Sequence, residues 1–316
     1  MGATEVDRVI RYAGANRYAT AAVISAGHFP GGATKVFIAT GLNFPDALAG
    51  AAIANLADAP LLLVNSSGVP AETAAALTRL NPTDIIILGG NAAIPDAVKT
   101  TLDGYGTTTR VSGANRYLTA IAISQYGFPT DGTADTVFVA TGLNFPDALA
   151  AGPAAAALNG PVLLVPGNES DLPQNVADEI LRLDPATIVV VGGTGAVSTG
   201  IYDDLDALQG SDTVTRVSGA TRYSTAVNIS DFAFGAGADL GYIATGFDFP
   251  DALAGAAAAF DSPILLVPGT DTAVPAAVES ALIALGAAAD GNAVILGGTA
   301  VVSVAIETDL NTIFAS

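Results

Sequence analysis

Thr40-Gly41-Leu42-Asn43-Phe44-Pro45-Asp46-Ala47-Leu48-Ala49 returns almost unchanged at residues 141–150 and, lightly altered, at residues 245–254. Pro45, Pro146 and Pro250 stand 101 and then 104 residues apart. Two further phrases keep step with it. One runs Arg11-x-x-Gly14-x-x-Arg17-Tyr18 and recurs from Arg110 to Tyr117 and from Arg216 to Tyr223. The other is a glycine pair closing an apolar run: Gly89-Gly90, Gly192-Gly193 and Gly297-Gly298. Three phrases in one order, three times over, describe three copies of one module. A period of about 100 residues is domain-sized, so each copy is expected to hold a core of its own.

The copies divide the chain at residues 1–106, 107–211 and 212–316. The joints near Tyr105-Gly106 and Gly210-Ser211 are short and polar, too short for free linkers, so the modules are expected to pack on one another. The Arg-Val-Ser-Gly phrase is assigned to the module it opens, because the third copy ends without one and the first begins with its own version.

Within the first copy, residues 19–26 suit a short helix and Lys35-Val36-Phe37-Ile38-Ala39 reads as a strand. Residues 40–44 then form the loop at the strand's C-terminal end. Pro45 suits the first helical position, and Asp46 favours the positive end of the helix dipole. The apolar runs at residues 61–64 and 84–88 read as strands, and Pro70 and Pro95 open helices. Continuous apolar strands alternating with helices indicate a parallel sheet covered on both faces. The fold class is therefore α/β, as three tandem parallel-sheet sandwiches.

Composition narrows the chemistry. The chain has no cysteine and one histidine, His28, which excludes thiolate metal sites, His-based triads and multi-histidine metal centres. His28 is expected in a surface loop beside Phe29-Pro30-Gly31-Gly32. A net charge of −19 argues against nucleic acid and against docking on an anionic membrane. The opening Met1-Gly2-Ala3-Thr4-Glu5 lacks a basic flank and an apolar stretch, so it does not read as a signal peptide. The uncharged residues 148–166 are broken by Gly and Pro and read as helix, turn and buried strand rather than as a membrane span.

The candidate site residues sit in the repeated phrases. Six of the nine arginines, Arg11, Arg17, Arg110, Arg116, Arg216 and Arg222, fall in one of them. A guanidinium is rigid and always charged, and its forked donors match a carboxylate or phosphate. In so acidic a chain its partners are either the repeated aspartates Asp46, Asp147 and Asp251 or an anionic group of a ligand. Tyr18, Tyr117 and Tyr223 are either core aromatics or platforms for a sugar ring. Phe44, Phe145 and Phe249 lie on the loop before a helix, where packing between modules and ligand contact both fit. Asn43 and Asn144 give way to Asp248, so the third loop differs. These loops end strands of a parallel sheet, where α/β folds usually bind ligands. No catalytic pair stands out and no metal site is expected.

Together the phrases resemble the type 2 cell wall binding repeat of Gram-positive surface proteins, over nearly the whole chain. The resemblance implies Toprim-like modules with pseudo-threefold symmetry, and non-covalent anchoring of a secreted protein to a cell wall polysaccharide or secondary wall polymer. It further implies an extracellular location at the wall, an attached effector domain and no enzymatic role. A self-assembling surface-array protein and a wall hydrolase are the alternatives. Its Pro-Ile-Leu-Leu stretch, linked to anchoring, matches residues 60–63, 161–164 and 263–266, which by periodicity are buried strand. No cofactor is expected, although a divalent cation would ease the contact between a chain of charge −19 and an anionic polymer.

Overall fold

The computed structural model describes residues 8–209, 214–235, 237–238, 240–285 and 292–315. The opening Met1-Gly2-Ala3-Thr4-Glu5 and the joint at Gly210-Ser211 lie outside the described residues. A strand β1 (Val9–Tyr12) and helix α1 (Arg17–His28) precede the first run of alternating elements. That run is β2 (Lys35–Thr40), α2 (Pro45–Leu56), β3 (Leu61–Val64), α3 (Ala71–Leu80), β4 (Asp84–Leu88) and α4 (Asp96–Leu102). The second copy follows with β5 (Thr107–Val111), α5 (Arg116–Gly127), β6 (Thr136–Thr141), α6 (Pro146–Ala157), β7 (Val162–Val165), α7 (Gln174–Leu183), β8 (Thr187–Val191) and α8 (Thr199–Gln209). The third holds β9 (Val214–Val217), α9 (Arg222–Phe234), β10 (Leu240–Thr245), α10 (Pro250–Ala256), β11 (Ile264–Val267), α11 (Ala276–Ala284), β12 (Asn292–Leu296) and α12 (Val304–Ala315).

These strands form three four-stranded sheets, ordered β3-β2-β4-β5, β7-β6-β8-β9 and β11-β10-β12-β1. All their pairings are parallel. Both faces of such a sheet are covered, which is why the strands read as unbroken apolar runs. Strands β3, β7 and β11, the Pro-x-Leu-Leu stretches, are buried throughout. Their side chains are core, and substitutions there are expected to act through folding.

The sheet order shows how the copies interlock. Strand β5 joins the sheet before it, with Arg110 opposite Ile87 and Val111 opposite Leu88. The helix that follows, α5, packs against α2 of the first copy and against β7 and α7 of the second. The Arg phrase is thus shared rather than belonging wholly to the module it opens: its strand closes one sheet and its helix starts the next layer. The first copy obeys the same rule around the ring. Strand β1 pairs with β12, Val9 opposite Ala293 and Tyr12 opposite Leu296, so the start of the chain completes the third sheet.

At the centre, α2, α6 and α10 touch one another pairwise. They are rich in Ala and Gly, and small residues let backbones approach closely. A Cβ on Gly152 would sit 3.5 Å from both Ala51 and Ala256, one residue from each of the other two copies. Asn55 Nδ2 donates to Ala256 O at 3.0 Å in the same buried layer. Phe44, Phe145 and Phe249 cap this centre as a triangle of edge-to-face rings, with centroids 5.6, 5.9 and 5.8 Å apart. Their role in the fold is packing between modules about the pseudo-threefold axis.

His28 is not in a surface loop. It is the last residue of α1, half-buried, with its Nε2 3.1 Å from the Tyr242 hydroxyl and its ring edge-on to Tyr12. Burial lowers its pKa. Tyr242 comes from the far end of the chain, and its hydroxyl also donates to Ala258 O at 3.1 Å.

Candidate functional site

Each junction between modules repeats one arrangement. A side-chain cap opens the helix of the Arg phrase: Asn16 Oδ1 accepts from the amides of Tyr18 and Ala19, and Asn115 Oδ1 from those of Tyr117 and Leu118. In the third copy, Thr221 and Ser224 form a reciprocal capping box. The cap fixes Arg17, Arg116 and Arg222 as the first helical residue. Their guanidinium groups donate to the backbone carbonyls of Gly41, Gly142 and Gly246, in the loop after the strand. Arg17 also lies over the Phe249 ring and Arg116 over the Phe44 ring, at 5.8 and 5.7 Å, each reaching the preceding module. Tyr18, Tyr117 and Tyr223, half-buried against the core, press on the glycine of that loop. A Cβ on Gly41, Gly142 or Gly246 would meet the ring at 2.8, 2.7 or 2.9 Å.

The first arginine of each phrase does something else. Arg11 donates to Gly297 O and Val302 O and pairs with Glu307 at 2.9 Å. Arg110 donates to Gly89 O and Ile94 O and pairs with Asp96 at 3.1 Å. Arg216 donates to Gly192 O, Val197 O and Ser198 O and stacks on Tyr202. With side chains 14% and 17% exposed, Arg11 and Arg110 are clamps that fasten the edge strand to the Gly-Gly turn of its sheet. Arg17, at 34%, remains accessible.

The repeated aspartates lie at the bottom of the junctions. Asp46 senses the charge of Arg116, Asp147 that of Arg222 and Asp251 that of Arg17, each from the following module around the ring. Each also takes a hydrogen bond from a threonine of that module: Thr119, Thr225 and Thr20 respectively. The same threonine hydroxyls accept from the amides of Gly113, Gly219 and Gly14 at 3.1, 3.0 and 3.2 Å. These threonines were not among the sequence candidates, although Arg-Tyr-x-Thr recurs in all three copies. The Gly-Gly turn closes the other side. Gly89, Gly192 and Gly297 have φ of +105°, +97° and +105°, and a Cβ there would strike the aspartate Oδ2 at 2.3, 2.6 and 2.4 Å. Both the backbone angle and the carboxylate demand glycine.

Above each aspartate is an open cavity: about 210 Å³ between modules one and two, 550 Å³ between two and three, and 170 Å³ between three and one. The loop residue Asn43, Asn144 or Asp248, the aspartate, the capped arginine and the threonine line all three. Asn43 and Asn144 are exposed, and each Oδ1 accepts from the amide of the following phenylalanine. The structure therefore gathers Asn43, Asp46 and Arg116, then Asn144, Asp147 and Arg222, then Asp248, Asp251 and Arg17. It leaves Arg11, Arg110, Arg216 and the phenylalanine triangle outside the linings of these three junctional cavities. Among the described residues no group of three or more acidic or histidine side chains is placed to hold a metal ion. No helix among them is long and apolar enough to cross a membrane.

Burial is the main cause that raises the carboxyl pKa of Asp46 and Asp147, against the pull of the threonine and arginine. Burial also dominates at Asp251; the Thr20 hydrogen bond and Arg17 oppose it, the Asp248 charge adds to it, and the carboxyl is pushed up to about 6. The folded state thus holds this proton more tightly than the unfolded chain. The stability it contributes is complete below about pH 4 and is lost as pH rises through about 6. Asp251→Asn, neutral throughout, should exceed the wild type by about 3 kcal/mol at pH 8 and lose that lead by pH 4. Urea denaturation at the two pH values measures this; a pH-independent difference would contradict it.

The model of the family described as cell wall binding domain 2 matches residues 11–99, 110–202 and 216–307. The chain belongs to the cell wall binding 2 family. Its three repeats are wall-anchoring modules of that family. It is 30% identical over 305 residues to the N-acetylmuramoyl-L-alanine amidase LytC of Bacillus subtilis, covering 96% of this chain and 58% of that protein. It is 32% identical over 272 residues to the amidase enhancer of the same organism, covering 85% of this chain and 36% of the enhancer. This cell wall binding 2 chain therefore spans less than two thirds of either relative. Among solved structures, Cwp6 of Clostridium difficile superposes with a TM-score of 0.81 at 25% identity, over 92% of this chain and 46% of Cwp6. Cwp8 of the same organism shares the fold, with a TM-score of 0.82 at 24% identity, over 97% of this chain and 51% of Cwp8.

Proposed function

We propose that the chain anchors a secreted protein to the outside of the cell by holding a wall polysaccharide or secondary wall polymer in its three junctional cavities. The observation that carries this reading is the cavity itself, built three times from a loop of one module and the capped helix of the next. An extended repeating polymer suits a repeated site, since several weak contacts on one chain act together. Each cavity offers what a sugar needs: an exposed carboxamide or carboxylate, an accessible guanidinium and the polar lip of a capped helix. Because the chain covers only part of its amidase relative, we place any catalytic function in a separate domain attached to these modules. Neither a cofactor nor nucleic acid enters the reading.

Co-sedimentation with purified walls, before and after chemical stripping of non-covalent and secondary polymers, tests it. Binding is expected on untreated walls and is expected to fall by at least about tenfold after stripping. Equal binding to both would overturn the polymer as receptor. Repeating the measurement with a chelator separates direct recognition from bridging by divalent cations.

A further inference from the structure

The three cavities are alike in shape of construction but not in charge. At the loop position after the glycine, Leu42 and Leu143 are replaced by Phe247, and at the next, Asn43 and Asn144 are replaced by Asp248. The second exchange is not required by the fold. Asp248 Oδ1 accepts from the Phe249 amide at 2.9 Å, the same bond that Asn43 and Asn144 make at 3.0 and 2.9 Å. An amide side chain does that work equally well in two of three copies, so the carboxylate changes only the charge. Its other oxygen stands 3.5 Å from Arg17, a long and half-exposed pairing. The charged residues lining this cavity are Arg17, Asp248 and Asp251, against Arg116 with Asp46 and Arg222 with Asp147 in the others. The junction between modules three and one therefore has a surplus negative charge where the other two balance.

Two more observations mark the same junction. Asp251 Oδ1 is buried without a hydrogen-bond partner, the one such atom among the three repeated aspartates. Phe247, the residue before Asp248 in the loop, is 60% exposed, an aromatic ring open to solvent one residue from the cavity lining. An apolar flat face next to a carboxylate fits a pyranose ring that bears a positive charge.

We propose that the cavity between the third and first modules selects a hexosamine with a free ammonium group, Asp248 receiving the ammonium and Phe247 packing against the sugar face. This rests on the wall-glycan reading above and names the glycan chemistry that one of its three sites prefers. It also bears on the charge of the chain: at −19, attraction to a cationic sugar replaces repulsion from an anionic one.

The test uses the whole chain, with a glucosamine hexamer and its fully N-acetylated counterpart as probes, titrated calorimetrically at a pH where the amines are protonated. The wild type is expected to bind the free-amine hexamer about tenfold more tightly, the worth of one charge-assisted hydrogen bond. Asp248→Asn should bring the two probes to parity with no loss of melting temperature, since asparagine serves at residues 43 and 144. Phe247→Leu should weaken both probes alike, by a few-fold. Asn43→Asp should add a second free-amine site and raise the stoichiometry. Equal binding of the two probes by the wild type, or a preference that survives Asp248→Asn as a diffuse attraction to an acidic protein would, overturns the proposal. Wild-type retention on walls, measured alongside, keeps the two readings apart: its loss counts against wall anchoring, whereas retention without amine preference counts against this inference alone.

Discussion

Deletion of residues 1–12 is expected to unfold the third module while the first two remain folded. Strand β1 pairs along its length with β12, Val9 is buried, and Arg11 clamps Gly297 O, Val302 O and Glu307 at the other end of the chain. Arg8 adds a bond to Phe314 O at 3.2 Å. Removing them leaves β12, a buried inner strand, as an unpaired edge, and leaves Glu307 without its arginine. Breaking a partly buried ion pair alone costs about 3 kcal/mol, and the lost ladder adds to it. An open edge of this kind also recruits other chains, so the truncated protein should self-associate. Hydrogen exchange resolved by residue measures the effect. Amides of β10, β11 and β12 should lose protection while β2, β4, β6 and β8 keep theirs, and a synthetic peptide of residues 8–13 should restore it. Retained protection in β10, β11 and β12 would show that β1 is a minor contributor, and uniform loss across all three sheets would contradict the independent survival of the first two modules.

Phe249→Ala should uncouple the modules. Phe249 contacts both Phe44 and Phe145 edge-on and carries the Arg17 guanidinium on its face. Its truncation removes two aromatic contacts and a cation–π contact at the axis shared by all three copies, a loss of about 3 kcal/mol. Unfolding in urea should become multiphasic, since each module has its own sheet but the interface between them is weakened. Wall binding should fall in parallel, because every cavity is made from two modules. Leu42→Ala is the control: the side chain is 58% exposed, and its removal should leave stability within about 0.5 kcal/mol. Single-phase unfolding of Phe249→Ala with unchanged wall binding would contradict the coupling.

Much of this architecture is written in local patterns. The strand and helix order, the prolines Pro45, Pro146 and Pro250 at the first helical position and the buried Pro-x-Leu-Leu strands follow from apolar runs and backbone preferences within one copy. What stayed hidden depends on where distant segments meet. Arg11 bonds to Gly297, 286 residues away, and nothing in the letters near Arg11 tells which sheet edge its strand will join. Charge alone points each arginine to an aspartate or to an anionic ligand, yet most acceptors are backbone carbonyls, which every residue type supplies. His28 looked exposed because Pro-Gly-Gly follows it, whereas Tyr242 covers it from the third copy. Thr20, Thr119 and Thr225 recur in the repeat, but an uncharged hydroxyl carries no signal in sequence that sets it apart from the many other threonines of the chain. The candidate loop and phrase positions are legible in the repeat, while their division into clamps and cavity linings depends on the fold.

The most direct test of wall anchoring through the junctions is hydrogen exchange of the intact chain with and without solubilised wall polymer. Protection is expected to rise at the three capped helix starts, residues 14–18, 113–117 and 219–223, and in the loops 41–46, 142–147 and 246–251. Protection confined to the outer helices α3, α7 and α11, with the junctions unchanged, would contradict it.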